Sequence, residues 1–132
     1  MGMHVFTYGS LMFDPVWLKV ARGSYEKIEA RVYGYTRRKL KGEIYPAALC
    51  GTDADCVDGI AHLNVNQDDI RRLDEFEGPY YRREMAECRL PDGSAIMACL
   101  YILDEQYMNL VEDEPWDPAW FSKIGVQLFL ED

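Results

Sequence analysis

The stretch FTYGSLMFDP, residues 6–15, holds the end of a predicted strand, a turn and the start of a predicted helix. Phe6 and Tyr8 flank Thr7 in the alternation typical of a strand, and Asp14-Pro15 is a favourable N-cap followed by proline at the first helical position. Between them, Gly9 has backbone freedom that other residues lack and lets a ligand approach the main chain. The stretch is either a plain strand-to-helix connection or a loop whose backbone N–H groups bind an anionic group.

Outside this stretch, apolar and polar residues alternate in the manner of half-buried strands. The predicted strands cover residues 4–8, 25–34, 35–40, 55–65, 81–90 and 95–103, the last two joined by PDGS as a hairpin. In the 55–65 strand, Gly59, Ala61, Leu63 and Val65 are predicted to share one face. Small residues on that face indicate close approach of another backbone or a tight barrel interior.

Helix start and stop signals are fewer than strand signals. The predicted helices run from Asp14 to before Gly23, from Asn66 to Gly78 and from Asp117 onward. The last of them carries Trp120, Ile124 and Leu128 at four-residue spacing. Because strands outnumber helices and several are adjacent in hairpins, the sequence predicts an α+β fold, a curved sheet or small barrel with helices outside.

Composition limits the classes of partner. The chain of 132 residues fits one domain, residues 1–132, and its formal net charge of −9 argues against a nucleic-acid or anionic-membrane partner. The one basic cluster, Arg37-Arg38-Lys39 with Lys41, is flanked by acids and is interpreted as a solvated strand face. No apolar run approaches a membrane span, and no secretory pattern begins the chain, which predicts a cytoplasmic soluble protein.

The residues that usually carry metal or nucleophilic chemistry form no familiar pattern. The cysteines, Cys50, Cys56, Cys88 and Cys99, have no Cys-x-x-Cys or zinc spacing and are predicted to be reduced and mostly buried. His4 and His62 are too few for most histidine-based metal sites, so neither a metal nor a cofactor is predicted. Nucleophile-elbow, P-loop, dinucleotide and zinc-protease motifs are absent, and Ser10 has no evident base.

The second informative stretch is LDEFEGPYYRRE, residues 73–84, in which Glu77 ends a predicted helix just before Gly78. A carboxylate at that position faces the negative end of the helix macrodipole, which costs some stability. Such departures from local rules are expected at functional sites more than elsewhere. The alternative, that Glu77 is an ordinary solvated carboxylate, stays open on position alone.

Taken together, the motifs resemble the γ-glutamylcyclotransferase-like superfamily, and in detail its γ-glutamylamine cyclotransferase and plant avirulence-induced branch. The resemblance rests, across about residues 4–102, on YGSL, VYGY, YPAAL, VDGIAHL and LDEFEG with a Tyr and an Arg soon after. It implies a small mixed β-barrel with flanking helices. It also implies a small-molecule γ-glutamyl substrate and an enzyme that releases 5-oxoproline and a free amine. A non-catalytic module that binds an amino-carboxylate ligand is the alternative on the same fold.

The resemblance also implies roles for individual residues. Glu77 becomes the general acid/base, and the γ-glutamyl group is bound by Tyr8, Gly9, Ser10 and Leu11. The family's Tyr-x-Arg element fits Tyr81 with Arg83, which we adopt as binding residues, or Tyr80 with Arg82. A γ-glutamyl substrate contains its own nucleophile, the α-amine, so the missing nucleophile motif agrees with this chemistry.

Overall fold

The computed structural model of the chain describes residues 2–131. The strands in this part of the chain are β1 (Met3–Thr7), β2 (Lys27–Tyr33), β3 (Tyr35–Lys39), β4 (Pro46–Cys50), β5 (Cys56–Val65), β6 (Tyr81–Arg89) and β7 (Ala95–Leu103). The α-helices are α1 (Asp14–Val20), α2 (Gln67–Glu77), α3 (Pro118–Trp120) and α4 (Val126–Glu131). Short 3₁₀ turns cover Ser10–Met12, Gly78–Tyr80 and Glu105–Leu110, and a π-helical stretch, Phe121–Gly125, joins α3 to α4.

The main sheet is a closed barrel with the strand order β1-β5-β2-β6-β7, and β3 and β4 pair separately as a two-stranded sheet. β1 runs parallel to β7, whereas β5 pairs with β1 and β2, and β6 with β2 and β7, in antiparallel fashion. The predicted α+β fold with a small mixed barrel and flanking helices is therefore confirmed.

The barrel interior is narrow because small residues bring strands together. A Cβ atom built on Gly59 in β5 would lie 2.1 Å from the Thr7 carbonyl oxygen in β1, so the prediction of a close backbone approach is confirmed. Ala61 is fully buried in the same interior cluster. The predicted single face is wrong at Val65, which packs in a different cluster outside the barrel. Asn64, just before Val65, has φ 55°, and this turn of the backbone interrupts the alternation of inward-facing and outward-facing side chains along β5.

A second hydrophobic core lies between the barrel strands and helices α1 and α2. The side chain of Asn66 caps α2 by accepting a hydrogen bond from the Asp69 N–H, as predicted. On α1, the Trp17 ring stacks on His62 of β5 with centroids 3.7 Å apart. Burial lowers the pKa of His62 to about 4, so the imidazole is neutral at physiological pH.

The C-terminal helical segment packs through a face that its four-residue pattern did not indicate. Trp120, Ile124 and Leu128 are 39%, 49% and 43% exposed. The buried face is offset by one residue and consists of Phe121, Gly125 and Phe129. A Cβ atom on Gly125 would lie 2.3 Å from the Phe121 ring, so glycine leaves the space that this ring occupies.

The cysteine prediction is half right. Cys88 and Cys99 are buried, but Cys50 and Cys56 are exposed because they lie at the end of β4 and the start of β5; all these thiols are free. Among residues 2–131, no helix combines the length and the apolar character needed to cross a membrane.

Candidate active site

A cavity of about 410 Å³ lies between the end of β1, the start of β4 and the C-terminal end of α2. The residues predicted from sequence that line it are Tyr8, Gly9, Ser10, Leu11, Glu77 and Tyr81, together with Tyr80 of the alternative register. These residues are distant in sequence, and the fold brings them to one place. Arg83 is not among the lining residues. Among the residues that the structure describes, no cluster of three or more His, Cys, Asp or Glu side chains could bind a metal ion.

The turn after β1 forms one wall of the cavity. It is closed by hydrogen bonds from the Met12 N–H to the Gly9 carbonyl (3.0 Å) and from the Phe13 N–H to the Ser10 carbonyl (3.2 Å). The first N–H groups of such a turn have no partner within it, which leaves them available to a ligand. Neither of the chain's histidines, His4 and His62, lines the cavity, so neither can act there as a base for Ser10.

Glycine is needed at position 9 for a steric reason. Gly9 has φ −134°, which is not the left-handed conformation that favours glycine. A Cβ atom there would lie 2.7 Å from Cγ of Pro46, the first residue of β4. The contact with Pro46 therefore sets how closely the turn approaches the opposite wall of the cavity.

Glu77 ends α2 and reaches the cavity, as predicted, and the helix stops because Gly78 adopts φ 68°. Although the residue as a whole is only partly buried, its carboxyl group is strongly desolvated. This burial, with a smaller effect of the nearby Asp74 carboxylate, raises the pKa of Glu77 to about 8.

Asp74, one turn before Glu77, is held by two donors that sequence reasoning did not connect. The Tyr101 hydroxyl donates to Asp74 Oδ1 over 2.7 Å, and Arg83 Nε lies 2.9 Å from the same oxygen. Arg83 therefore contacts the helix that carries Glu77 rather than the cavity itself. Nothing in the local sequence pairs Tyr101 with Asp74, since 27 residues separate them.

The two possible registers of the Tyr-x-Arg element differ in what their arginines contact. Tyr80 and Tyr81 both line the cavity. Arg82 Nη1 lies 3.6 Å from Glu84 Oε2 on the same strand, whereas Arg83 pairs with Asp74 beside Glu77. Adjacent strand residues point to opposite faces, so Arg83 shares the face of Tyr81. The Tyr81 and Arg83 register is the one that places both side chains around α2.

The tyrosine hydroxyls around Glu77 stay protonated. Burial raises the pKa of Tyr8, Tyr81 and Tyr101 above the ordinary tyrosine value. The Tyr8 hydroxyl donates to the Tyr101 carbonyl over 2.5 Å, and the Tyr81 hydroxyl donates to the Pro46 carbonyl over 2.9 Å. Among these side chains, Glu77 is the group that exchanges a proton near neutral pH.

We expect Asp74→Asn to lower the pKa of Glu77 below about 8, because the substitution removes a neighbouring negative charge while its amide oxygen still accepts from Tyr101. The measurement is the NMR titration of the Glu77 side-chain carboxyl carbon. Glu75→Gln, an exposed carboxylate on the same helix, is the control and should leave this titration in place. If the titration midpoint of Glu77 is the same in Asp74→Asn as in the wild type, burial alone raises the pKa of Glu77.

The interpretation of the basic cluster as a solvated strand face is wrong for Arg37. Its Nη1 donates to the Tyr8 carbonyl oxygen over 2.7 Å, and its guanidinium lies 5.3 Å from the centroid of the Trp116 ring. Burial lowers the pKa of Arg37 from its ordinary value, although an arginine remains charged at physiological pH. The neighbouring basic residues concealed this contact in the sequence.

Comparison with known proteins agrees with the resemblance. The family model described as "Gamma-glutamyl cyclotransferase, AIG2-like" matches residues 5–118. The chain is 36% identical over 135 aligned residues to AIG2-like protein D of Arabidopsis thaliana, covering 98% of this chain and 86% of that protein.

Two solved structures share the fold. One, a solution structure from Arabidopsis thaliana, is 24% identical with a TM-score of 0.74, and the match covers 99% of this chain and 79% of that one. The other, a γ-glutamyl cyclotransferase, is 16% identical with a TM-score of 0.71, and the match covers 99% of this chain and 85% of that one.

Proposed function

The chain belongs to the γ-glutamyl cyclotransferase, AIG2-like family, and from this premise we propose that it converts a γ-glutamyl amine or γ-glutamyl amino acid into 5-oxoproline and a free amine. The observation that carries the proposal is a single carboxyl group, Glu77, whose pKa of about 8 lies near neutral pH, in the same cavity as the Tyr8–Leu11 turn. A proton acceptor and a set of backbone donors are the two elements that this reaction requires of a protein.

In the proposed reaction the substrate supplies the nucleophile. Glu77, as carboxylate, accepts a proton from the substrate's α-ammonium group, and the resulting α-amine attacks the γ-carbonyl carbon. A new C–N bond closes the five-membered ring, and the ring nitrogen, which keeps one hydrogen, also gives up a second proton that ends on the departing amine as its ammonium form. Glu77, now protonated, donates its proton to the leaving nitrogen as the original amide C–N bond breaks. One carboxyl group with a pKa near neutral pH suits both steps.

The turn is proposed to hold the folded substrate. The N–H groups of Gly9, Ser10 and Leu11 can donate to the substrate's α-carboxylate or to the oxyanion that develops on the γ-carbonyl oxygen. Holding the α-amine close to the γ-carbonyl lowers the barrier by proximity, an effect of several kcal/mol in well-oriented reactions. Tyr81 lines the same cavity as a neutral hydroxyl, and Arg83 is proposed to act on this site through its contact with Asp74.

We expect the purified protein to release 5-oxoproline from at least one member of a panel of γ-glutamyl amines, γ-glutamyl amino acids and glutathione, without added metal or nucleotide. Chromatographic detection of 5-oxoproline is the measurement. The matched control is the N-acetylated form of each active substrate, which lacks a nucleophilic α-amine and should give none. Binding of compounds from the panel without release of 5-oxoproline would favour the amino-carboxylate binding module.

The cytoplasmic location of the protein stays a prediction.

A further inference from the structure

The contact between Arg37 and the Tyr8 carbonyl determines which way the first peptide of the turn points. In a trans peptide the carbonyl and the following N–H point in opposite directions. The described residues contain no cis peptide bond, so fixing the Tyr8 carbonyl toward Arg37 directs the Gly9 N–H to the other side of the chain. The Gly9 N–H is one of the donors that the proposed function assigns to the substrate.

We propose that Arg37 is a positioning residue for the substrate-binding turn. It holds the Tyr8–Gly9 peptide in the orientation that presents the Gly9 N–H to a γ-glutamyl carboxylate or oxyanion. The inference rests on the proposed function only for the identity of what the turn binds. Arg37 itself does not line the cavity, so it acts through the turn and not by touching the substrate.

The surroundings of Arg37 restrict where its guanidinium can go. Trp116 forms one side; it is only 4% exposed, and its indole N–H donates to the Ile44 carbonyl over 2.9 Å. Its ring also packs against Phe121, with centroids 5.5 Å apart. A ring fixed in this way gives the flat guanidinium a flat surface to lie on.

Lysine cannot reproduce this arrangement. The guanidinium is planar, so it can lie against Trp116 while an N–H donates in its own plane to the Tyr8 carbonyl. A second, longer contact joins the same nitrogen to the Asp58 carbonyl over 3.5 Å. An ammonium group is compact and strongly hydrated, and it has no flat face for the ring. Arg37→Lys should therefore retain the charge but hold the turn less well.

The test uses Arg37→Met and Arg37→Lys, with Arg38→Met as the matched control on the same strand. The first readout, amide hydrogen exchange without substrate, does not depend on activity. We expect exchange at Met12 and Phe13, whose N–H groups close the turn by hydrogen bonds, to become about tenfold faster in Arg37→Met and to change less in Arg37→Lys, while β5 stays as protected as in the wild type. A structural role alone would accelerate exchange across the barrel, which would overturn the proposal.

The second readout is steady-state kinetics on the best γ-glutamyl donor. We expect KM to rise about tenfold in Arg37→Met with a smaller change in kcat, a partial recovery in Arg37→Lys and no change in Arg38→Met. If Arg37→Met does not fold, Arg37→Lys provides the same comparison. Unchanged KM and unchanged exchange at the turn would overturn the proposal. An inactive wild type with faster exchange in Arg37→Met would refute the cyclotransferase activity and still support Arg37 as the residue that fixes the turn.

Discussion

Gly59→Ala is expected to lower the melting temperature by on the order of 10 °C, although it adds a single methyl group. The new Cβ atom would lie 2.1 Å from the Thr7 carbonyl oxygen and 2.7 Å from Cζ of Phe6. Both neighbours belong to β1, and Phe6 is only 1% exposed, so neither can move without displacing that strand. Overpacking of this kind typically costs about 1–3 kcal/mol.

The matched control is Gly42→Ala, which separates the steric effect from the backbone effect. Gly42 has φ 73° and open space around its missing side chain, so alanine there meets only the conformational penalty, about 1 kcal/mol. Thermal denaturation of both variants is the measurement. Because β1 leads directly into the turn at Gly9, the Gly59 variant should also bind γ-glutamyl ligands more weakly. A melting temperature of Gly59→Ala equal to that of the wild type would show that β1 can shift freely.

The parts of the fold that the sequence predicted are those determined by local signals. Alternation located the barrel strands, Asn66 marked the start of α2, and Gly78 marked its end. The small residues of β5 indicated a tight barrel because glycine within a strand often marks the close approach of another backbone. Each of these signals lies within a few residues of the feature it determines.

The parts that the sequence did not predict depend on contacts between distant residues. Arg37 contacts the Tyr8 carbonyl 29 positions away, and its basic neighbours suggested solvent exposure instead. The closing helix carries two overlapping four-residue patterns offset by one residue, and the close packing of Phe121 against Gly125 decides between them. No propensity distinguishes the two faces, because both are apolar.

The same division applies to the candidate site. Glu77 could be singled out because a carboxylate at a helix C-terminus departs from a local rule. Asp74 and Tyr101 could not, since their hydrogen bond joins α2 to β7 across the fold. The catalytic and binding roles of the site residues stay predictions, and the variants of Glu77 test the central one.

Glu77→Gln is expected to lower kcat about a hundredfold or more, the range for loss of a general acid/base. Glutamine retains the shape of the side chain but cannot exchange a proton with the substrate. Substrate affinity should change by only a few fold, since the turn donors remain. In the wild type, kcat/KM should rise with pH through about 8, because the free enzyme must hold Glu77 as carboxylate to accept the first proton. The residual activity of the variant should lack this rise.

Stability provides a second, independent readout of the same substitution. The pKa of Glu77 is about 8 in the folded protein and about 4.3 in an unfolded chain, so folding favours the protonated form. The stability that this preference confers is complete below pH 4.3 and is lost as pH rises toward 8. Glutamine has no proton to lose, so the melting temperature of Glu77→Gln should match the wild type near pH 4 and exceed it increasingly up to pH 8.

The control for both readouts is Glu75→Gln, an exposed carboxylate on the same helix that should leave kcat and the melting profile unchanged. Turnover of Glu77→Gln close to that of the wild type would remove Glu77 from the reaction. A collapse of its stability at every pH would instead make Glu77 a structural residue. Only a loss of turnover in a protein that is at least as stable as the wild type identifies Glu77 as the group that moves the proton.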